Sequence, residues 1–403
     1  SAILFLIAVF ISSVYGGSIS AILINIPGTP GAIVTQFDGY PMAQQGRAGH
    51  ALTYALVAST VGGLIGLGLL VTLAPMVARA AMSFRSPEFA MAAVFGLVLL
   101  AFASGGSIFR GILVGAVGVL CGMVGFDALT DIGRFDFGTP ALQAGIALVP
   151  VTVGIFGLAE VLRNLSFGPR GLPPVPALGG LLPPLGRLLG LWKAVLRGGI
   201  IGTFVGAIPA AGSAIAVALT YAQEKRLSRN PDAFGRGEPA GIAAPESANS
   251  ASVGGSLVPM MTLGIPGDPV MALMLGALMI HGIAPGPRVV VEHPELFWGL
   301  IASFWIGNIL LVILNLPMVG IWVKMLQIPY RILYPSILLF ICIGVYSINN
   351  NAFDVLLVVV FGLLGYGMRI MGFEPAPMLL GYILGPLMEE HLRRALLLSR
   401  GDM

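Results

Sequence analysis

The sequence predicts an all-α, polytopic membrane protein, and three observations support this fold class. Of the 403 residues, 57% are hydrophobic and only 10% are charged. The mean hydropathy is +0.94, whereas a soluble domain of this length needs more polar side chains to cover its surface. Long stretches also lack Asp, Glu, Lys, Arg and His, and each is long enough for a spanning helix or a re-entrant pair.

These uncharged stretches give the predicted membrane elements in order. The longest run through residues 1–37, 51–78, 89–109, 137–159, 198–223, 247–267, 296–323 and 332–353, and shorter ones cover 111–126, 355–368 and 375–388. Together they predict roughly ten to twelve membrane segments. The chain opens at Ser1 inside the first stretch. We interpret this as a processed or truncated chain and not as a signal peptide, because a basic n-region and a cleavage site are missing.

A short phrase occurs once in each half of the chain. Gly16-Gly17-Ser18 precedes Ile26-Pro27-Gly28-Thr29-Pro30, and Gly254-Gly255-Ser256 precedes Ile265-Pro266-Gly267-Asp268-Pro269. Gly and Pro at this density interrupt a helix, and the surroundings are too apolar for a solvent loop, so we expect the backbone to break inside the protein at membrane depth. One broken apolar segment per half is typical of the binding site of a secondary transporter.

The two copies divide the chain into two homologous repeats with broken or re-entrant helical hairpins. In each half, a later apolar run ends in Gly-Phe followed by an acid, at Asp127 and at Glu374. We predict a first transporter repeat over residues 1–162 and a second over 198–403, inverted relative to each other. Residues 163–197 are rich in Pro and Gly and carry basic residues without an acid, which predicts a cytoplasmic linker.

The stretch 198–223 has two interpretations. A second basic segment follows it, and if this segment and the linker are both cytoplasmic, the stretch cannot cross the membrane once. Its centre, Gly206 to Ser213, contains Pro209 and would suit a re-entrant turn between two half-helices. A single spanning helix with a proline kink is the alternative.

The broken segments supply the candidate substrate-binding residues. Amides at the start of a half-helix attract an anion, and unwound carbonyls hold a cation. A polar segment from Glu246 to Ser252 also lies upstream of the second phrase. The candidates are Gly17, Ser18, Asn25, Pro27, Gly28, Thr29, Asn249, Ser252, Gly255, Ser256, Pro266 and Gly267. For any one of these small residues, helix packing is the alternative role.

The candidates for binding the coupling ion are Asp38, Asp268 and Thr262. Ionisable residues close to membrane segments are candidate functional residues by default, and either aspartate would serve Na⁺ or H⁺. A loop cap is the alternative for Asp38. We expect the charged side chains near segment ends to pair or to reach the interface; they are Arg110, Asp127, Glu160, Asp354 and Arg369.

Other functional classes find less support in the sequence. Cys121 and Cys342 both lie in apolar runs, which predicts neither a disulfide nor a metal site. The basic residues behind the net charge of +3 are scattered among the membrane segments, so we expect no nucleic-acid partner.

Two alternative functions have less support than a transporter. The sequence lacks the catalytic motifs of hydrolases, which disfavours an intramembrane enzyme. A passive anion channel is the other alternative, although no filter-like repeat supports it. We expect no cofactor besides the coupling cation.

The motifs together resemble a known family. The strings that carry the resemblance are Tyr15-Gly16-Gly17-Ser18 to Pro30, Asp38-Gly39-Tyr40-Pro41-Met42-Ala43, Gly206 to Ser213, Ala244-Pro245-Glu246-Ser247-Ala248-Asn249, and Leu263-Gly264-Ile265-Pro266-Gly267 through Gly282. Their combination, from Tyr15 to Arg394, is similar to the large membrane subunit of tripartite tricarboxylate transporters, the TctA family.

The resemblance implies a multi-pass permease of the bacterial inner (cytoplasmic) membrane. It implies a periplasmic substrate-binding protein and a small membrane subunit as partners. It further implies uptake of citrate or related di- or tricarboxylates by Na⁺ or H⁺ symport. The family has additional segments before the first phrase and after the C-terminal Glu389-Glu390 region, so the resemblance implies a chain truncated at both ends.

Overall fold

The structure is a computed structural model that describes residues 2–103, 107–127, 132–166, 179–208, 212–283, 286–325 and 328–399. The helices are α1 (Ala2–Ile24), α2 (Thr35–Met42), α3 (Ala48–Ala81), α4 (Ser86–Ala103), α5 (Ile108–Gly122), α6 (Pro140–Gln143), α7 (Leu148–Thr152), α8 (Ala159–Ser166), α9 (Leu185–Gly190), α10 (Trp192–Gly206), α11 (Gly212–Leu227), α12 (Pro239–Leu263), α13 (Pro269–Ile280), α14 (Val289–Glu292), α15 (Pro294–Met325), α16 (Tyr330–Asn349), α17 (Ala352–Ile370) and α18 (Ala376–Leu398).

Other regular structure in this part of the chain is short. Two 3₁₀ turns cover Pro30–Ala32 and Pro231–Ala233, and two π-helical segments cover Ala43–Arg47 and Val153–Leu158. Strands β1 (Gly125–Phe126) and β2 (Gly133–Arg134) form one antiparallel pair. The predicted all-α fold class is therefore confirmed.

The membrane-spanning character of the helices is also confirmed. Within the described residues, six helical segments are long and apolar enough to cross a membrane: Ile3–Ile24, Thr35–Ala81, Leu148–Ser166, Pro294–Ile321, Arg331–Asn349 and Ala352–Ile370. Ile108–Gly122 and Val270–Ile280 are shorter apolar helices. The chain is thus a multi-pass membrane protein. The inverted orientation of the repeats stays a prediction.

The chain forms two compact units, and each unit draws on both halves of the sequence. The first unit comprises the described residues of Ser1–Ala81, Leu172–Gly267 and Ile283–Gln327. The second comprises those of Met82–Gly171, Asp268–Gly282 and Ile328–Met403. The centre of the predicted linker, residues 167–178, lies outside the described residues.

Helix α12 is the core of the first unit. Its side chains are buried almost without interruption from Gly241 to Thr262, and it packs against α3 and α10. Glycines one turn apart let the three backbones approach closely, in the small-xxx-small manner of membrane helices. In α3 these glycines are Gly62 and Gly66, and in α10 they are Gly198, Gly202 and Gly206; a Cβ at each would overlap backbone atoms of α12.

The predicted backbone breaks occur at the Ile-Pro-Gly segments. Helix α1 ends at Ile24, and Asn25 adopts a left-handed conformation with φ of 57°. Helix α12 ends at Leu263, and Gly264 has φ of 71°. The break does not extend to the Gly-Gly-Ser segments, which stay helical inside α1 and α12. This corrects the expectation for those residues, and the reason is that a helix satisfies its own backbone where no water is available.

The stretch 198–223 is divided into two helices. Helix α10 ends at Gly206 and α11 begins at Gly212, which agrees with two half-helices and not with one kinked helix. Residues 209–211, which include Pro209, lie outside the described residues. Arg197 of α10 and Glu224 of α11 form a two-bond ion pair, with N–O distances of 2.5 and 2.7 Å.

The second unit is held by small-residue packing and by ion pairs. Helix α18 packs on α4 and α5, and a Cβ at Gly118 of α5 would overlap the backbone at Met378 of α18. Charged residues near the segment ends pair as expected: Glu160 with Arg369, Asp127 with Arg134 and Arg393, and Asp354 with Asn349, while Arg110 lies over the Phe373 ring at 5.5 Å.

Candidate functional site

A buried carboxylate lies at the centre of the first unit. Glu246 of α12 is 0% exposed. Its Oε1 accepts a hydrogen bond of 2.7 Å from the Ser18 hydroxyl of α1 and another from the Thr35 hydroxyl of α2. Both hydroxyl groups are also fully buried. Three elements from opposite ends of the chain therefore meet at one carboxylate oxygen.

The loop that follows α1 lies beside this carboxylate. Gly31 contacts the Asn249 side chain so closely that a Cβ would overlap its amide. Asn249 stands one helical turn after Glu246, so both side chains lie on the same face of α12. Asn25, Gly28 and Pro30 in the same loop are exposed. The loop is therefore accessible at its tip and backed by buried polar side chains.

Several buried polar atoms of α2, α12 and the loop between α1 and α2 have no hydrogen-bond partner in the described residues. They are Oε2 of Glu246, Nδ2 of Asn249, Oγ1 of Thr29 and Oε1 of Gln36. Buried polar groups are nearly always hydrogen-bonded, so a cluster of unpartnered ones needs an explanation such as a bound ion, water or ligand. The arrangement is suited to binding a small polar or ionic species.

Asp38 is fully partnered. Its Oδ1 accepts the backbone N–H groups of Gly235, Gly237 and Glu238 at 2.8, 2.9 and 2.8 Å. Its Oδ2 accepts the Tyr221 hydroxyl at 2.9 Å. The three N–H donors lie immediately before α12, where a negative charge stabilises the helix N-terminus. Asp38 thus fixes the start of α12.

The second phrase contacts α10. The Ser256 hydroxyl donates to the Gly206 carbonyl at 2.9 Å, and a Cβ at Gly267 would lie 2.9 Å from the Ser256 Oγ. Gly255 lies against the Thr203 backbone. Unlike the exposed tip of the first loop, Gly264, Pro266 and Gly267 are buried.

Three further candidates make local hydrogen bonds. The hydroxyls of Ser252 and Thr262 donate to the carbonyls of Asn249 and Val258 within α12, both at 2.7 Å. Asp268 caps the start of α13, where its Oδ1 accepts the N–H groups of Val270 and Met271 at 2.8 and 2.9 Å.

The structure brings together only some of the predicted site residues. Ser18 and Asn249 lie beside Glu246, and the loop that carries Asn25, Pro27, Gly28 and Thr29 follows, with Asn25 and Gly28 exposed and Pro27 half-buried. Gly17 supports this loop, because its carbonyl accepts the Gly28 N–H at 3.1 Å. Ser256 follows Glu246 by ten residues, which is about 15 Å along a helix. The two copies of the phrase therefore contact α12 at different levels.

Sequence reasoning missed Glu246, Thr35 and Gly31 as site residues. A signal for Glu246 exists, because it is the one ionisable residue in the 25 residues of α12, and such residues are functional suspects inside a membrane protein. Thr35 and Gly31 carry no comparable signal, since their roles depend on contacts with residues about 200 positions away, 211 in the case of Thr35.

Comparisons with known proteins place these features in a family. Two related proteins from Agrobacterium vitis are described as uncharacterized. One, in the TAR-I ttuC' 3' region, is 47% identical over 405 aligned residues, which cover 100% of this chain and 80% of the relative. The other, in the TAR-II ttuC' 3' region, is 58% identical over 201 residues, or 50% of this chain and 83% of the relative. No solved structure gives a significant match.

The family comparison covers most of the chain. The profile of the tripartite tricarboxylate transporter TctA family matches residues 1–380, a span that includes both phrases, Glu246 and all helices up to the start of α18. The resemblance carried by the sequence motifs is thereby confirmed. With its six membrane-crossing helical segments in the described part of the chain, this protein is a transporter permease that belongs to the TctA family.

Proposed function

We propose that the protein takes up citrate or a related di- or tricarboxylate by cation symport. It would act in the inner membrane of a bacterium, supplied by a periplasmic substrate-binding protein and accompanied by a small membrane subunit. The observation that carries the proposal is the broken helix at residues 25–30, whose exposed tip is backed by the buried polar groups of Glu246 and Asn249. Family membership supports the class of substrate.

The chemistry of the first loop supports binding of a carboxylate. Unwound backbone in a transporter lines the substrate cavity, where its amides and small polar side chains replace water around an anion. Asn25 and Gly28 provide such groups at the exposed tip, and Thr29 adds a buried hydroxyl. The second loop is buried against α10, and we propose that its residues Gly255, Ser256, Pro266 and Gly267 shape the frame of the site.

Uptake of radiolabelled citrate into proteoliposomes tests this proposal. The liposomes contain the complete three-component system, and a Na⁺ gradient and a pH gradient are imposed in separate experiments. We expect saturable accumulation under one of the gradients, without ATP. A panel of di- and tricarboxylates then ranks the substrates.

Two outcomes would contradict the proposal. Flux that does not saturate and ignores both gradients would indicate a passive channel. Chemical turnover of the carboxylate without accumulation would indicate an intramembrane enzyme. Liposomes that lack the binding protein serve as the control, because uptake in a tripartite system requires delivery of the substrate.

A further inference from the structure

Glu246 poses an electrostatic problem that the proposed function does not answer. A buried charge is costly unless it is paired or coordinated. Among the described residues, no basic side chain forms an ion pair with Glu246, and its Oε2 has no hydrogen-bond partner. A buried carboxyl group with one unpartnered oxygen and no basic partner among the described residues therefore lies inside the first unit.

The surroundings of this carboxylate are rich in neutral oxygen atoms. The hydroxyls of Ser18 and Thr35 donate to Oε1 and keep lone pairs of their own. Thr29 Oγ1 is buried and unpartnered and lies against Gly17, the residue before Ser18, and the Asn249 amide is one turn away from Glu246 along α12. Hard cations prefer carboxylate, carbonyl and hydroxyl oxygens. The described residues contain no cluster of three acidic, histidine or cysteine ligands, so the single charge of Glu246 matches a monovalent ion.

We propose that Glu246 is the anionic ligand of a monovalent metal-cation site of the Na⁺ type, completed by hydroxyls of α1, α2 and the loop between them. This inference rests on the symport proposed above and locates the coupling ion within the chain. A carboxylate substrate at the adjacent loop would be repelled by an uncompensated Glu246. A bound cation removes this repulsion, which couples ion binding to substrate binding.

The other acidic candidates have different surroundings. Both oxygens of Asp38 are occupied by four donors, and Asp268 caps α13 through two backbone N–H groups. Glu224 is paired with Arg197. Glu246 is the acid among these four that has a buried, unpartnered oxygen.

The first test measures ion binding without transport. Thermal unfolding of the purified permease is followed in NaCl and in choline chloride at equal ionic strength. We expect NaCl to raise Tm for the wild type, and Glu246→Gln, which keeps the shape, to abolish this rise or to increase the half-saturating Na⁺ concentration at least tenfold. Glu295→Gln removes an exposed acid of the same unit and should behave as the wild type.

Several outcomes would overturn the inference. It fails if Glu246→Gln retains the full Na⁺ response or if the wild type shows none. A wild-type response to acidification but not to Na⁺, lost in Glu246→Gln, would replace the metal ion with a proton. If Glu246→Gln does not fold, Thr35→Val provides the test, because it removes one hydroxyl ligand at similar volume and should weaken the Na⁺ response.

The second test separates this inference from the proposed function. Exchange of labelled for unlabelled citrate at equal ion concentrations needs no net ion movement, whereas accumulation does. We expect Glu246→Gln to lower gradient-driven accumulation at least tenfold more than exchange. If the wild type transports no carboxylate, the proposed function fails while the unfolding experiment still decides the Na⁺ site.

Discussion

At the scale of single residues, the buried acids of the first unit differ in what donates to them. Asp38 accepts three backbone N–H groups and a tyrosine hydroxyl, whereas Glu246 accepts two hydroxyls on one oxygen and none on the other. A carboxylate with every acceptor site occupied stabilises the fold. One with a free buried oxygen is available for a ligand.

This difference predicts the effect of replacing Asp38. Asp38→Ala leaves the N–H groups before α12 without an acceptor, and we expect the free energy of unfolding to fall by about 3 kcal/mol. Asp38→Asn keeps one carbonyl acceptor and should lose less. Thermal unfolding in detergent provides the measurement. Unchanged stability in Asp38→Ala would argue against this structural role and in favour of its predicted role in coupling.

Gly28 gives a second prediction at this scale. A Cβ at Gly28 would lie 2.7 Å from the Gly17 Cα, and a backbone atom cannot move aside as a flexible side chain can. We expect Gly28→Ala to displace the loop tip and to reduce carboxylate uptake at least tenfold, while the amount of protein in the membrane stays constant. Gly16→Ala is the control, because no atom lies within 4 Å of its Cβ position. Equal uptake by the two variants would contradict this role of the loop.

At the scale of elements, α12 depends on close contact with α3. Gly66 faces the Ala251 backbone, and its Cβ would lie 2.9 Å from the Ala251 Cα. Gly68, in the same helix, has no atom within 4 Å of its Cβ position. Helix α3 thus contains one glycine that is packed against α12 and, two positions later, one whose Cβ position is unoccupied.

These two glycines give a matched pair of variants. Gly66→Ala forces α3 and α12 apart, and overpacking of this kind costs about 1–3 kcal/mol. Gly68→Ala should be neutral or stabilising by up to about 1 kcal/mol, because Ala favours the helix. The Tm of each purified variant is the measurement. A lower Tm for Gly68→Ala than for Gly66→Ala would reject the proposed close packing.

At the scale of the whole molecule, helix α16 has little cover from the rest of the described residues. Only 6% of the apolar segment of α16 is buried, and Cys342 in this helix is exposed. Because water is excluded from the hydrocarbon region, an uncovered apolar helix of this length is expected to face lipid.

Labelling of Cys342 therefore tests whether α16 faces lipid. We expect a membrane-impermeant maleimide to leave it unlabelled in freeze–thawed vesicles, because the hydrocarbon region excludes the charged reagent. Detergent and denaturant should then expose it. Asn230→Cys, in an exposed loop, is the positive control. Rapid labelling of Cys342 in vesicles would place α16 against an aqueous phase.

Local patterns allowed much of this molecule to be predicted. The helical fold and the breaks at Ile26-Pro27-Gly28 and Ile265-Pro266-Gly267 follow from hydropathy and from the backbone preferences of Gly and Pro, whereas these properties left two interpretations of the stretch 198–223 open. These properties act over a few neighbouring residues. The motif combination was specific enough to indicate the family that the comparison then showed.

The tertiary structure alone decided how the site is assembled. Ser18 and Glu246 are 228 positions apart, and Asp38 and Gly237 are 199 apart. Whether an acid is paired, capped or left with a free oxygen depends on which distant donors the fold brings to it, and a local pattern carries no such information. The sequence by itself therefore determined a membrane transporter with two broken helices, and the packing around α12 determined that Glu246 lies at its polar centre.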